Sequence, residues 1–230
     1  LDAMLNESFN PTLLKALIIH SAKYPEEMKM PIADKIRYTG FGLPSNSKDI
    51  LFNEPNEITL ILQDTLERGN FIEILDFPFP QSMIDDDGYF YGEISATLVT
   101  DPILDVSQGA EYCQSNIEVM LGTYDEKTTR DTTKSRIKNP IGAKGRKNIL
   151  AMDNYSTKAS KDLDTPFATE RMLIAYSGKY QPIKKWNVSL DEFRDANKEK
   201  FLHSPKHWYL KLEGEYRSVT EEKCEKEDRI

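Results

Sequence analysis

Lys206-His207-Trp208-Tyr209-Leu210-Lys211-Leu212-Glu213-Gly214-Glu215-Tyr216 decides the fold class. Trp208, Leu210 and Leu212 fall on one face, and Tyr209, Lys211 and Glu213 on the other, the period-two alternation of a strand with one buried side. Working outward, the same reading applies to Ile183–Val188, Arg171–Tyr176 and Tyr112–Tyr124, where Ile117, Val119 and Leu121 alternate with polar residues. Tyr89–Thr100 is a long strand entered through an Asp87-Gly88 hairpin signal. Gly69–Phe77 ends at Pro78 and Pro80, and Glu57–Gln63 (EITLILQ) places Ile58, Leu60 and Leu62 at period two. Asp191–Lys200 reads as a short helix or turn. Strands joined by short connections, without repeated βα alternation, indicate a mainly β fold of antiparallel sheets, expected as a jelly-roll-like β-sandwich.

The chain has 230 residues, 39% hydrophobic and 30% charged, enough for a real core. Its net charge of −8 argues against a nucleic-acid binder held by bulk electrostatics. No apolar run approaches the roughly 18 residues needed to span a bilayer. Cys113 and Cys224 lie too far apart in sequence to suggest a metal pair by spacing. Thr128–Leu163 is the main irregular segment and reads as a basic surface loop, with Lys134, Arg136, Lys138, Lys144, Arg146 and Lys147. The tail from Glu221 to Asp228 is almost wholly charged, expected to fray or form a solvated helix. The absence of a basic, apolar leader favours the cytoplasm and leaves the compartment open.

Before the strands comes one helix. Asn10 is a good N-cap, Pro11 suits the first helical position, and Pro25 stops the run Thr12-Leu13-Leu14-Lys15-Ala16-Leu17-Ile18-Ile19-His20-Ser21-Ala22. At 100° per residue its apolar side chains cover nearly the whole circumference, and only Lys15 interrupts them strongly. A helix of that kind belongs in a large interior. Either its neighbours lie upstream of Leu1 or it is buried against the sheet that follows. Leu13, Leu14, Leu17 and Ile18 are expected to pack on the sandwich or on a second copy of the chain.

Candidate chemistry is sparse. Neither a Gly-x-Ser-x-Gly elbow nor a Gly-Thr-Ser sequence occurs. His20 reads as a packed, hydrogen-bonded residue. His203 and His207 have metal-like spacing, but Pro205 between them and the following strand argue against the helix that spacing needs. Asp85-Asp86-Asp87-Gly88 is an incomplete calcium loop and reads as a charged hairpin tip. Gly40-Phe41-Gly42-Leu43-Pro44 lacks the lysine and following helix of a phosphate loop. The Lys134–Lys147 stretch has no aromatic for base stacking. Trp186, Trp208 and Tyr209 are either core residues or a sugar-stacking platform. The sequence therefore assigns no catalytic, cofactor-binding or metal-ligating residue.

Asn10 through Ala22, followed by Tyr38-Thr39-Gly40-Phe41-Gly42-Leu43-Pro44, resembles a specific part of the subtilisin-like serine peptidases. In that family a helix reading like P-x-L-V-K-A-L-L-I-H-S-A follows the helix of the catalytic serine, and a glycine turn comes next. Many large bacterial members then carry a C-terminal β-sandwich, comparable to the P domain of proprotein convertases. The resemblance implies that residues 1–50 are the end of an α/β catalytic domain, that 51–220 form the sandwich, and that 221–230 are a charged tail. It also implies a partner, the upstream catalytic domain of the same protein, and a role in stability or in recognition of a peptide or protein substrate. The family's Asp, His and Ser motifs all lie upstream of this helix, so no residue here inherits a catalytic role, His20 included. The alternative is a stand-alone β-sandwich module binding glycans or a protein. A homodimer through the first helix is the remaining partner expectation; nucleic acid and membrane are not expected.

Overall fold

A computed structural model describes residues 10–25, 27–30, 32–51, 56–67, 70–124, 148–151, 180–216 and 228–229. Among the described residues three helices come first, α1 (Pro11–Ser21), α2 (Ile32–Thr39) and α3 (Ser47–Leu51). The strands are β1 (Thr65–Leu66), β2 (Phe71–Phe77), β3 (Glu93–Val99), β4 (Ser115–Tyr124), β5 (Ile183–Ser189), β6 (His207–Tyr216) and β7 (Asp228–Arg229), with α4 (Asp195–Phe201) before β6. All pairings are antiparallel. β6 is the centre of a three-stranded sheet, β2-β6-β4; β3 pairs with β5, and β1 with β7.

The alternation read in 206–216 is what builds the core. Leu212 stands opposite Ile72 on one side and Val119 on the other; Leu210 stands opposite Ile74 and Leu121. From the second sheet come Leu98, Trp186 and Val188, flanked by Ile94 and Ala96, and all join one apolar cluster with Ile117, Val119, Leu121, Trp208 and Leu212. The opposite face of β6 carries Tyr209, in a smaller cluster with Tyr124, Leu75 and Met120. The end of α4 is tied to this sheet where the Thr123 hydroxyl donates to the Phe201 carbonyl at 2.5 Å.

The β3–β5 sheet has a second use for its other face. Thr97 and Lys185 are register partners pointing away from the shared core, and α1 lies over β3 on that side. Asn10 caps α1 through its Oδ1, which accepts from the Leu13 amide at 3.0 Å. At the other end no glycine terminates the helix. Instead the Lys185 ammonium donates to the carbonyls of Ile19 (2.9 Å), His20 (3.0 Å) and Ala22 (2.6 Å) at the negative end of the helix dipole, the first of which also accepts from the Ala22 amide at 3.2 Å. Its neighbour Lys184 points the opposite way and donates to the Ile117 carbonyl of β4 at 2.9 Å. Two adjacent lysines thus pin the same strand to the layers on its two sides.

Four expectations need correction or limits. Glu57–Gln63 forms no strand, and Ile58, Leu60, Ile61 and Leu62 are exposed. Alternation measures which side chains could be buried, not whether a neighbouring strand is present to bond the backbone. The tail expectation fails at its last residue, since Asp228 and Arg229 pair with Leu66 and Thr65, and residues 217–227 lie outside the described ones. Arg171–Tyr176, and Thr128–Leu163 apart from 148–151, lie outside the described residues. Antiparallel sheets are present as expected, but they are small.

The first glycine turn is built on backbone that favours glycine. Gly40 has φ +60° and Gly42 φ +96°. A Cβ on Gly42 would collide with the Lys23 carbonyl, because Lys23 and Leu43 pair across this turn with reciprocal hydrogen bonds of 2.9 Å. A Cβ on Gly40 meets nothing within 4 Å. Gly40→Ala should therefore cost about 1 kcal/mol, the left-handed penalty alone. Gly42→Ala should cost about 3 kcal/mol, since strain and a backbone collision act together. Urea midpoints of the two variants check the order; equal midpoints would show that the Lys23–Leu43 contact does not constrain the turn.

Candidate functional site

Two polar clusters flank the start of β6, and both involve histidines singled out in the sequence. In the first, Asp76 sits at φ +55° where the β2–β6 register shifts between Leu75 and Phe77. This bulge turns its carboxylate toward the neighbouring strands. Asp76 Oδ1 lies 2.8 Å from His207 Nδ1 and accepts from the Tyr124 hydroxyl at 2.8 Å. Tyr124 and His207 are register partners whose rings stack with centroids 5.3 Å apart. A carboxylate orienting an imidazole is part of a hydrolytic triad. Among the described residues, however, no serine, threonine or cysteine side chain is hydrogen-bonded to His207. Within those residues the cluster ties β2, β6 and β4 together.

In the second cluster the Tyr89 hydroxyl donates to Glu199 at 2.7 Å, and His203 packs edge-on against Tyr89 at 4.9 Å. The carboxylate pushes the Tyr89 phenol up, with desolvation adding to it. His203 and His207 thus serve different partners, and the strand that starts at His207 removes the helix a metal pair would need. Among the described residues no group of three or more His, Cys, Asp or Glu is arranged to hold a metal ion. Asp85 closes the hairpin tip itself, its Oδ1 accepting from the Tyr89 amide at 2.7 Å. The charged-tip reading of 85–88 therefore describes what is seen.

The proposed aromatic platform is not at the surface. Trp186, Trp208 and Tyr209 are 4%, 2% and 1% exposed. Trp208 stacks on Phe79 at 4.3 Å and meets Phe90 edge-on at 5.2 Å. These rings fill the interior, and no face remains for a sugar.

The remaining candidate is the joint around α1. His20 Nδ1 lies 3.1 Å from the Thr97 hydroxyl, the packed and hydrogen-bonded state expected of it. Burial, and then the Lys185 charge, hold its imidazole below the free value of 6.5, with Glu57 opposing. Burial, helped by Lys23, pushes Lys185 down to about 8. Of the four apolar residues expected to pack, Leu17 is buried, Leu13 and Leu14 are half-buried, and Ile18 is 39% exposed. Ile18 is not isolated. Tyr38, Leu43, Ile58, Leu60, Ile61 and Leu62 are also exposed, so most of the large apolar side chains exposed among the described residues belong to positions 18–62. Sequence reading missed Asp76 and Lys185. The only signals were an acidic residue ending an apolar strand and two lysines opening another.

No family model matches this chain, and no curated protein or solved structure matches it.

Proposed function

We propose that this chain is the non-catalytic C-terminal part of a subtilisin-like serine endopeptidase, a β-sandwich of jelly-roll kind preceded by the last helix and glycine turn of the catalytic domain. One observation carries most of the weight. Most of the large apolar side chains exposed among the described residues fall, in sequence, at Ile18 of α1, in the glycine turn and in the 57–63 stretch, the part of the chain that adjoins the catalytic domain in this reading. α1 is covered by β3 along its Leu17 side and open at Ile18, as suits a helix held between two bodies. The resemblance of Asn10–Ala22 and Tyr38–Pro44 to the family's helix and turn points the same way. The parent would hydrolyse peptide bonds through an acyl-enzyme on a serine upstream of Leu1. The present residues would hold that domain together, or present a peptide or protein substrate to it. A stand-alone glycan-binding module has lost the feature that favoured it, because both tryptophans are interior.

The test has two parts. The coding sequence upstream of Leu1 is expected to contain Gly-Thr-Ser within about 30 residues, a context specific enough to decide the family. Casein hydrolysis is then expected from the joined protein and absent from this chain alone. In the joined protein, backbone amides of 57–63 should exchange more slowly than in the isolated chain. An upstream sequence without that motif, or casein turnover by this chain alone, would refute the proposal.

A further inference from the structure

We infer that the contact between α1 and the β3–β5 sheet is an acid-sensitive joint, which opens when His20 takes up a proton. The inference concerns this chain alone and does not depend on the protease reading.

The geometry sets up the conflict. His20 stands in the last turn of α1, half-buried, with its Nδ1 against the Thr97 hydroxyl of β3. A cation at the end of a helix is ordinarily welcome, because the dipole's negative pole and the free carbonyls are there. Here that position is taken. The Lys185 ammonium already occupies the Ile19, His20 and Ala22 carbonyls, so a protonated His20 would add a second positive charge beside the first. Lys23, just past the helix, adds a third. Among the groups found to act on His20, Glu57 is the opposing one. β3 bears Glu93 on the same face as Thr97, but at the exposed start of the strand. α3, which also touches α1, carries Lys48 and Asp49, one of each sign. Moving the last turn of α1 off the sheet returns both cations to water. What resists is the set of three Lys185 bonds and a small apolar contact, because Leu17 and Ala22 are the buried apolar residues of the segment 11–25 and Ile18 already faces solvent. Elements with so little buried surface open at free energies well below global unfolding.

The sign follows by linkage. The docked imidazole is held below 6.5, so the undocked state binds more protons at intermediate pH. His20 therefore leaves docking undisturbed above about pH 6.5 and weakens it as the pH falls toward the docked value. For one proton the undocking equilibrium changes by at most about tenfold per pH unit.

Hydrogen exchange of the whole chain at pH 7.5 and pH 5.0, corrected for intrinsic amide rates, tests this directly. The expected result is that the α1 amides lose protection at pH 5.0 by several-fold or more, while those of β4 and β6 do not. His20→Gln keeps a side-chain amide within reach of Thr97 and should abolish that pH dependence. An NMR titration of the wild-type imidazole gives a readout that survives a failure of the variant to fold, and should place His20 below 6.5. Equal α1 protection at the two pH values, a loss spread evenly over α1, β4 and β6, or a His20 titrating at or above 6.5 would each overturn the inference.

Discussion

Replacing Trp208 with alanine is expected to remove about 3–5 kcal/mol of stability, the usual range for deleting a large buried aromatic ring. Against a total of roughly 5–15 kcal/mol for a folded domain, that is enough to unfold a substantial fraction of the molecules near physiological temperature. The position makes the loss hard to absorb. Trp208 is the second residue of the central strand, opposite Phe77 of β2 and Thr123 of β4. It stacks on Phe79 with rings nearly parallel, and Phe90 closes the group edge-on to both. Alanine would leave a void bordered by two rings held by their own strands and turns, so the walls cannot easily collapse into it. A second substitution separates ring packing from polar satisfaction. The Trp208 indole N–H is buried without a hydrogen-bond partner among the described residues. Phenylalanine would remove that unsatisfied donor while keeping an aromatic ring against Phe79. Trp208→Phe should then cost less than about 1.5 kcal/mol, because relief of the orphaned donor offsets much of the lost volume. Urea unfolding followed by circular dichroism compares the pair. If phenylalanine proves as damaging as alanine, the indole N–H has an acceptor in solution and this account of the core fails.

The same region shows why some of the fold is legible in sequence and some is not. β2 to β6 all fall on stretches read as strands, β5 running one residue past its reading, because their apolar residues alternate and their partners in the core alternate with them. Trp208, Leu210 and Leu212 face the main core together as the pattern requires. The EITLILQ stretch has the same alternation and forms no strand, because a period of two carries no information about whether an edge is available to pair with. Asp76 was invisible for a different reason. Its importance comes from a left-handed backbone at a bulge, and nothing in Leu75-Asp76-Phe77 announces the register shift that aims it at His207 and Tyr124. Of the three clusters, sequence supplied the histidines and not their partners. His20 meets Thr97 across 77 positions, a distance over which local pattern says nothing.

Lys185 is the sharpest case of that limit, and its removal is the second large effect expected. In sequence, Lys184-Lys185 looks like charged punctuation at the start of a strand. In the structure Lys185 is 4% exposed, and its ammonium fills the place of a C-terminal cap on a helix more than 160 positions earlier. Lys185→Met keeps the aliphatic stem over the sheet and deletes the donor. Three carbonyls then lose their bond to a charged group, a loss of about 1.5–3 kcal/mol, partly offset because a buried cation is removed as well. The net expectation is about 2 kcal/mol, lost from the docking of α1 rather than from the β2-β6-β4 sheet. Arginine is not a conservative repair, since its planar fork cannot copy the compact ammonium that reaches three acceptors at once. The pH dependence has a definite sign. With Lys185 pushed down to about 8 from 10.5, the undocked lysine holds its proton more tightly than the docked one. Docking of α1 should therefore strengthen as the pH rises from about 8 toward 10.5, and Lys185→Met should remove that rise. Hydrogen exchange across α1 between pH 7 and pH 10, corrected for intrinsic rates, measures both quantities. A methionine variant with α1 protected as in the wild type would mean that Leu17 and Ala22 hold the helix without the lysine, and that the three bonds follow from the docking instead of causing it.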